Sequence, residues 1–258
     1  MTDIVQWVVV AAVFLLAGLV KGVVGMGLPT ISMGLLALVM APAEAAAILI
    51  VPSFVTNVWQ LVAGPAFGAL LKRLWTMMIG ILAGTLATAG LLSGGHTGAT
   101  QIGLGVALVL YALLGLSARR FHVPSRHESW LSPFIGVTTG LVAGATGVFV
   151  IPAVPYLQAL DLKRDDLIQA LGLSFTVSTI ALAAGLSRTS HFDVSSPLVV
   201  VSLLALAPAL LGMFAGQSLR SRMSVESFRR VFFAGLLLLG LYLSVEGVVT
   251  SLAARHGG

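Results

Sequence analysis

Lys21 is the one basic residue inside an apolar stretch of this chain, and no carboxylate lies within helical reach of it. An ionisable group at that depth is a functional hypothesis by default. It stands in GLVKGVVGMGLPT, residues 18–30, where Gly18, Gly22, Gly25 and Gly27 precede Pro29 and Thr30. A related stretch, GLVAGATGVFVIP, residues 140–152, carries Gly140, Gly144, Thr146, Gly147 and Pro152. Glycines let the backbone turn and approach a ligand closely. Proline is favoured in the first turn of a helix. Each break is therefore expected to restart a helix, whose first N–H groups are unpaired and carry about half a positive charge. Two such starts meeting from opposite faces would hold an anion. Lys21, Gly22, Gly25, Gly27, Thr30, Gly144, Thr146 and Gly147 are the candidates for that contact.

Small polar residues follow each break. Ser53, Thr56, Asn57 and Gln60 recur on about one helical face, and Ser174, Thr176, Ser178 and Thr179 are their rough counterparts. Hydroxyl and amide donors can replace water around an anion, which adds Ser53, Asn57, Ser174 and Ser178 as candidates. Plainer roles compete. Gly18, Gly136 and Gly140 suit tight helix packing, as GxxxG does. Lys21 at the end of a helical arm would offset its dipole. Thr176 and Thr179 suit hydrogen bonding between helices. No catalytic chemistry is visible: there is no cysteine, the histidines His96, His122, His127, His191 and His256 lie in loops or the tail, and the carboxylates lie near segment ends. Neither a metal site, a cofactor nor an enzyme active site is expected.

The elements that carry these residues belong to a membrane. The chain has 258 residues, 58% hydrophobic and 9% charged, with mean hydropathy +1.05. A soluble domain would hold about a quarter charged residues. Continuous apolar segments are read at 4–21, 28–40, 43–63, 74–94, 100–118, 131–145, 148–160, 167–187, 197–218 and 231–250. They do not alternate, so they are helices rather than barrel strands. The net charge of +5 does not indicate nucleic acid, because its residues sit in short loops between apolar runs. The start is not a secretory signal: it carries Asp3 and runs apolar from Ile4 past any normal signal core.

Residues 18–38 and 140–160 match at eight of 21 positions at an offset of 122. The expected organisation is two membrane repeats, 1–118 and 131–258, joined by a basic linker at 119–130. Charge then orients them. If each glycine-broken stretch returns to the face it left, the loops at 64–73, 119–130, 161–166 and 219–230 share a side. That side holds eleven Lys and Arg against two, Arg188 and Arg255, on the other. If each broken stretch crosses once, the split is six to seven and orients nothing. The positive-inside rule selects the first arrangement: linker inside, both termini outside, the halves inverted. Trp75 and Trp130 beside the basic loops, and Trp7 near the other end, suit interfacial belts. The second arms, 28–40 and 148–160, span about 20 Å each, short of a core of about 30 Å. The arms are expected to meet near the midplane. The fold class is thus all-α integral membrane protein, two inverted repeats, each a glycine-broken helix or hairpin followed by three transmembrane helices.

The glycine-proline pattern of Gly18, Gly22, Gly25, Gly27 and Pro29, echoed by Gly140, Gly144, Gly147 and Pro152, resembles the sulfite exporter TauE/SafE family of membrane permeases, also called TSUP. The resemblance covers nearly the whole chain. It implies a permease that moves sulfite, sulfoacetate, thiosulfate or related anions across the plasma membrane, the bacterial inner membrane. Its partners would be that small anion and the lipid bilayer, with proton or sodium as candidate coupling ions and a homodimer as the candidate assembly. An anion channel on the same scaffold and a non-transporting assembly partner are the alternatives.

Overall fold

The computed structural model describes residues 2–94, 97–117, 121–188, 197–222 and 224–256. Arg119, Arg120, His96 and His191 lie outside them. The described residues form ten α-helices and no strand: α1 Thr2–Val24, α2 Leu28–Leu36, α3 Pro42–Val62, α4 Phe67–Ser93, α5 Thr97–Leu116, α6 Ser125–Thr146, α7 Ala153–Gln158, α8 Arg164–Ser187, α9 Pro197–Leu219 and α10 Val225–His256. One helix falls in each apolar segment read from the sequence. Seven of them, α1, α3, α4, α5, α8, α9 and α10, are long and apolar enough to cross a bilayer. The protein is an all-helical, multi-pass membrane protein.

Local chemistry sets the ends. Pro42 opens α3 from an extended Ala41, with Glu44 in the first turn. Asp165 and Asp166 lie in the first turn of α8, where carboxylates offset the positive end of a helix dipole. Several helices start earlier than hydropathy indicates. α4 begins at Phe67 rather than 74, α6 at Ser125 rather than 131, and α10 at Val225 rather than 231. Their first two turns carry Lys72 and Arg73, Arg126 and Glu128, and Glu226, Arg229 and Arg230. Charge removes these turns from the apolar signal without unwinding them.

The hairpins are lopsided. α1 has 23 residues, about 35 Å at 1.5 Å per residue, and is itself long enough to span. α2 has nine and α7 six. Each hairpin therefore pairs a long arm with a stub. The long arms end alike. Gly25 and Gly147 adopt left-handed backbone, φ +86° and +71°, and their N–H groups bond Lys21 O at 2.7 Å and Ala143 O at 2.8 Å. A left-handed residue just past the last turn is a common helix stop that glycine accepts without strain.

Packing fixes the relative directions of the helices. α1 and α9 press glycine faces together: a methyl on Gly18 or Gly22 would collide with the carbonyls of Ala209 or Met213, and one on Gly212 with that of Leu15. α4 and α6 do the same through Gly140 on Ile81, Gly144 on Thr85 and Gly84 on Val137. Numbers rise together in both seams, so both pairs are parallel. The two seams correspond contact by contact. By contrast, α5 and α10 meet as Gly98 with Gly247 and Gly105 with Gly240, and so run antiparallel. α3 and α8 are antiparallel too: Gly172 lies on Leu61, Gln169 Nε2 donates to Gly64 O at 2.6 Å, and Asn57 pairs with Thr179.

The basic loops gather at one end of the bundle. Gln169 also donates to Leu61 O at 2.7 Å and accepts from Ala66 N at 2.8 Å, tying α8 to the end of α3. Arg73 Nε donates to Glu128 Oε2 at 2.8 Å and its Nη2 to Leu160 O at 3.3 Å. His122 Nδ1 lies 2.7 Å from Asp161. Arg220 faces Arg164, and its guanidinium is held below its ordinary value by partial burial and then by that like charge. Trp7, Trp75 and Trp130 are all exposed on the outer surface of the bundle.

Candidate functional site

α1 delivers Lys21 in its last turn to the middle of the α3–α8 pair. The side chain is 4% exposed. Its Nζ donates to Thr56 Oγ1 at 3.1 Å and to Asn57 Oδ1. The Asn57 Nδ2 in turn donates to Thr179 Oγ1 on α8 at 3.4 Å. One turn along α3, Gln60 Nε2 donates to Gly25 O at 2.9 Å, beside the hairpin break. Among the described residues no ion pair involves Lys21. Its ammonium is thus held by neutral oxygens alone. Effective desolvation penalties run to several kcal/mol per buried ion, and no neighbouring carboxylate offsets that here.

Buried oxygens that stand without hydrogen-bond partners include Ser53 Oγ and Gln60 Oε1 on α3, Ser174 Oγ on α8, and Thr30 Oγ1 and Ser32 Oγ on α2. Such groups are costly in an interior. Thr30 stands in the first turn of α2, where Gly27 (φ 111°) is the N-cap and makes no side-chain cap bond. Leu28 and Thr30 N–H are free of intrahelical bonds there, as at any helix start. The Lys21 amine, the N–H groups at the start of α2 and the unpaired hydroxyls are all hydrogen-bond donors, the chemistry that an anion's acceptor oxygens call for.

Other candidates from the sequence lie elsewhere or are occupied. Gly22 and Gly144 are seam glycines that face α9 and α4. Thr146 Oγ1 donates to Val142 O at 2.7 Å and accepts from Val148 N at 3.2 Å, so it serves the turn. Ser178 Oγ donates to Ser174 O at 3.0 Å. Gly147 lies against the Met33 side chain. The second break restarts only the six residues of α7, too short to act as a second dipole facing α2. The site is therefore asymmetric. Thr56, Gln60 and Thr179 belong to it through hydrogen bonds. Their helical spacing is visible in the sequence, but their partners are not.

A cavity of about 680 Å³ opens at the end where the basic loops gather. Asp161, Glu226 and Arg229 line it, and it reaches Val24, Met26 and Tyr111. Tyr111 hydroxyl donates to Met26 Sδ at 3.0 Å. Val24 and Met26 flank Gly25, and nothing lies within 4 Å of where a Gly25 side chain would project. A second cavity of about 240 Å³ lies toward the N-terminus, lined by Trp7, Met40, Glu44, Ile48 and Val201 among others. Lys21 and Asn57 line neither cavity.

The family model described as Sulfite exporter TauE/SafE matches residues 10–243, nearly the whole chain. No curated protein and no solved structure gives a significant match.

Proposed function

The chain belongs to the sulfite exporter TauE/SafE family, and from that premise we propose that it is a secondary transporter of a small anion, sulfite or an organosulfonate such as sulfoacetate. The observation that carries the reading is Lys21: a buried ammonium with neutral partners only. An anion completes it electrostatically, and the buried, unpaired hydroxyls of Ser53, Ser174 and Thr30 are further donors for it. Transport proceeds by alternating access. The larger cavity, beside the basic loops, reaches Val24 and Met26 a few residues after Lys21, and the smaller lies at the opposite end of the helices. Two cavities on opposite sides, with the Lys21 cluster lining neither, favour a transporter over a channel.

The inverted-repeat reading draws on the antiparallel contacts of α3 with α8 and of α5 with α10, which are sequence counterparts. Gathering of the basic loops supports placing that end, and the linker, on the cytoplasmic side of the plasma membrane, with the termini outside. A proton or sodium gradient supplies the driving force.

The test is flux of labelled sulfite in proteoliposomes. Lys21→Ala is expected to reduce kcat/KM by about a hundredfold or more, since losing a buried charge partner costs about 3 kcal/mol or more. Lys21→Arg should retain part of it. Wild-type kinetics in Lys21→Ala, with saturable flux intact, would remove the lysine from the site and the reading with it.

A further inference from the structure

α3 holds the polar face of the site, yet it contains a proline. Pro52 lies in the interior of Pro42–Val62, next to Ser53 and just before Thr56 and Asn57. Proline has no N–H, so the carbonyl four residues earlier, that of Ile48, loses its helical donor. A buried carbonyl left that way is costly. Here it is not left. Ser202, on α9 and fully buried, donates from Oγ to Ile48 O at 2.7 Å. The same oxygen accepts from Val51 N at 3.1 Å. One hydroxyl from another helix thus serves both the donor that Pro52 deletes and the N–H just before it. Side chains inserted into a helical ladder accompany bends.

The position matters as much as the bond. Ile48 and Val201 line the N-terminal-side cavity. Ser53, Thr56, Asn57 and Gln60 follow Pro52 along the same continuous helix. The α8 counterpart of Pro52, at the offset that pairs Ser53 with Ser174, is Leu173. The joint therefore exists in one half only.

We propose that α3 bends at Pro52 and that Ser202 is a positioning residue of the anion site: through that bend it fixes the angle at which the part of α3 after Pro52 presents Asn57 to Lys21. This rests on the transport reading given above. Ser202 touches no substrate in it. Its hydroxyl holds a joint whose geometry the site inherits.

Four variants test this: Ser202→Ala, Ser202→Thr, Pro52→Ala and Pro52→Ala with Ser202→Ala. Sulfite KM is measured in proteoliposomes and thermal midpoint in detergent. Ser202→Ala is expected to raise KM about tenfold and lower the midpoint, since it leaves the buried Ile48 carbonyl without its donor. Ser202→Thr keeps the hydroxyl and should stay near wild type. The double variant decides between positioning and plain packing. Residue 52 then has an N–H for Ile48 O, so the midpoint should recover, while KM stays raised because α3 has straightened. Recovery of KM together with the midpoint overturns the proposal, as does a wild-type KM in Ser202→Ala. A distance readout separates this from failure of the site itself. The chain has no cysteine, so spin labels at Glu44→Cys and Val62→Cys report the length of α3 directly. A longer distance in the double variant upholds the joint even if Lys21→Ala proves silent. An unchanged distance overturns it whatever Lys21 does.

Discussion

At Lys21 the chain buries a positive charge and supplies only dipoles to meet it. Asn57 contributes its oxygen to the ammonium and its nitrogen to Thr179, so one amide joins three helices. Replacing it by the isosteric carboxylate should expose the logic of the site. Asn57→Asp places a permanent counter-charge on Lys21, where the transported anion would otherwise bind. Sulfite KM is expected to rise by about a hundredfold, while the thermal midpoint does not fall. A variant that transports normally would show that Lys21 is not the group the anion meets. How much of this was legible in the sequence varies by residue. Lys21 and Asn57 stood out because a charge and an amide are rare in apolar segments, and Gln60 shared Asn57's helical face. Thr179 and the Gly25 carbonyl could not be identified as partners, because the register between α3 and α8 is set by packing across more than a hundred residues of chain. Nor does sequence separate Gly22 from Gly25. One presses on a neighbouring backbone and the other turns the chain, and only φ and the facing atoms tell them apart.

Among elements, the glycine seams and the hairpin ends make different demands. Gly22 and Gly144 occupy equivalent places against Met213 and Thr85. Alanine at either position must push two helices apart. Each is expected to lower stability by about 1–3 kcal/mol, as overpacking does, read as a reduced thermal midpoint. Gly25→Ala meets open space and is opposed only by its left-handed backbone, about 1–2 kcal/mol. Its larger effect should be on transport, because that space adjoins the cavity-lining residues Val24 and Met26. The number and order of helices were readable from ten apolar runs. The unequal hairpin arms were not, since hydropathy stops at Lys21 while the helix continues to Val24. The early starts of α4, α6 and α10 were hidden for the same reason: a charged turn is still a turn.

For the molecule as a whole, the two cavities lie at opposite ends of the helices, Val24 lining one and Trp7 the other. A cysteine at Gln158, exposed in the larger cavity, and one at Glu44, in the smaller, should each react with a membrane-impermeant maleimide from one face only, and from opposite faces. Saturating sulfite should change the two labelling rates in opposite senses if access alternates. Labelling of both positions from a single face would overturn the topology. The two parallel seams add a consequence for biogenesis. The partner of α1 is α9, whose first residue is made 173 residues after Val24. At about 5–20 residues per second, the ribosome needs roughly 9–35 s to supply it. Throughout that interval the glycine face of α1 waits in the bilayer without its final neighbour. A nascent chain arrested before Pro197 should therefore hold α1 in a form that proteases or the insertion machinery can still reach.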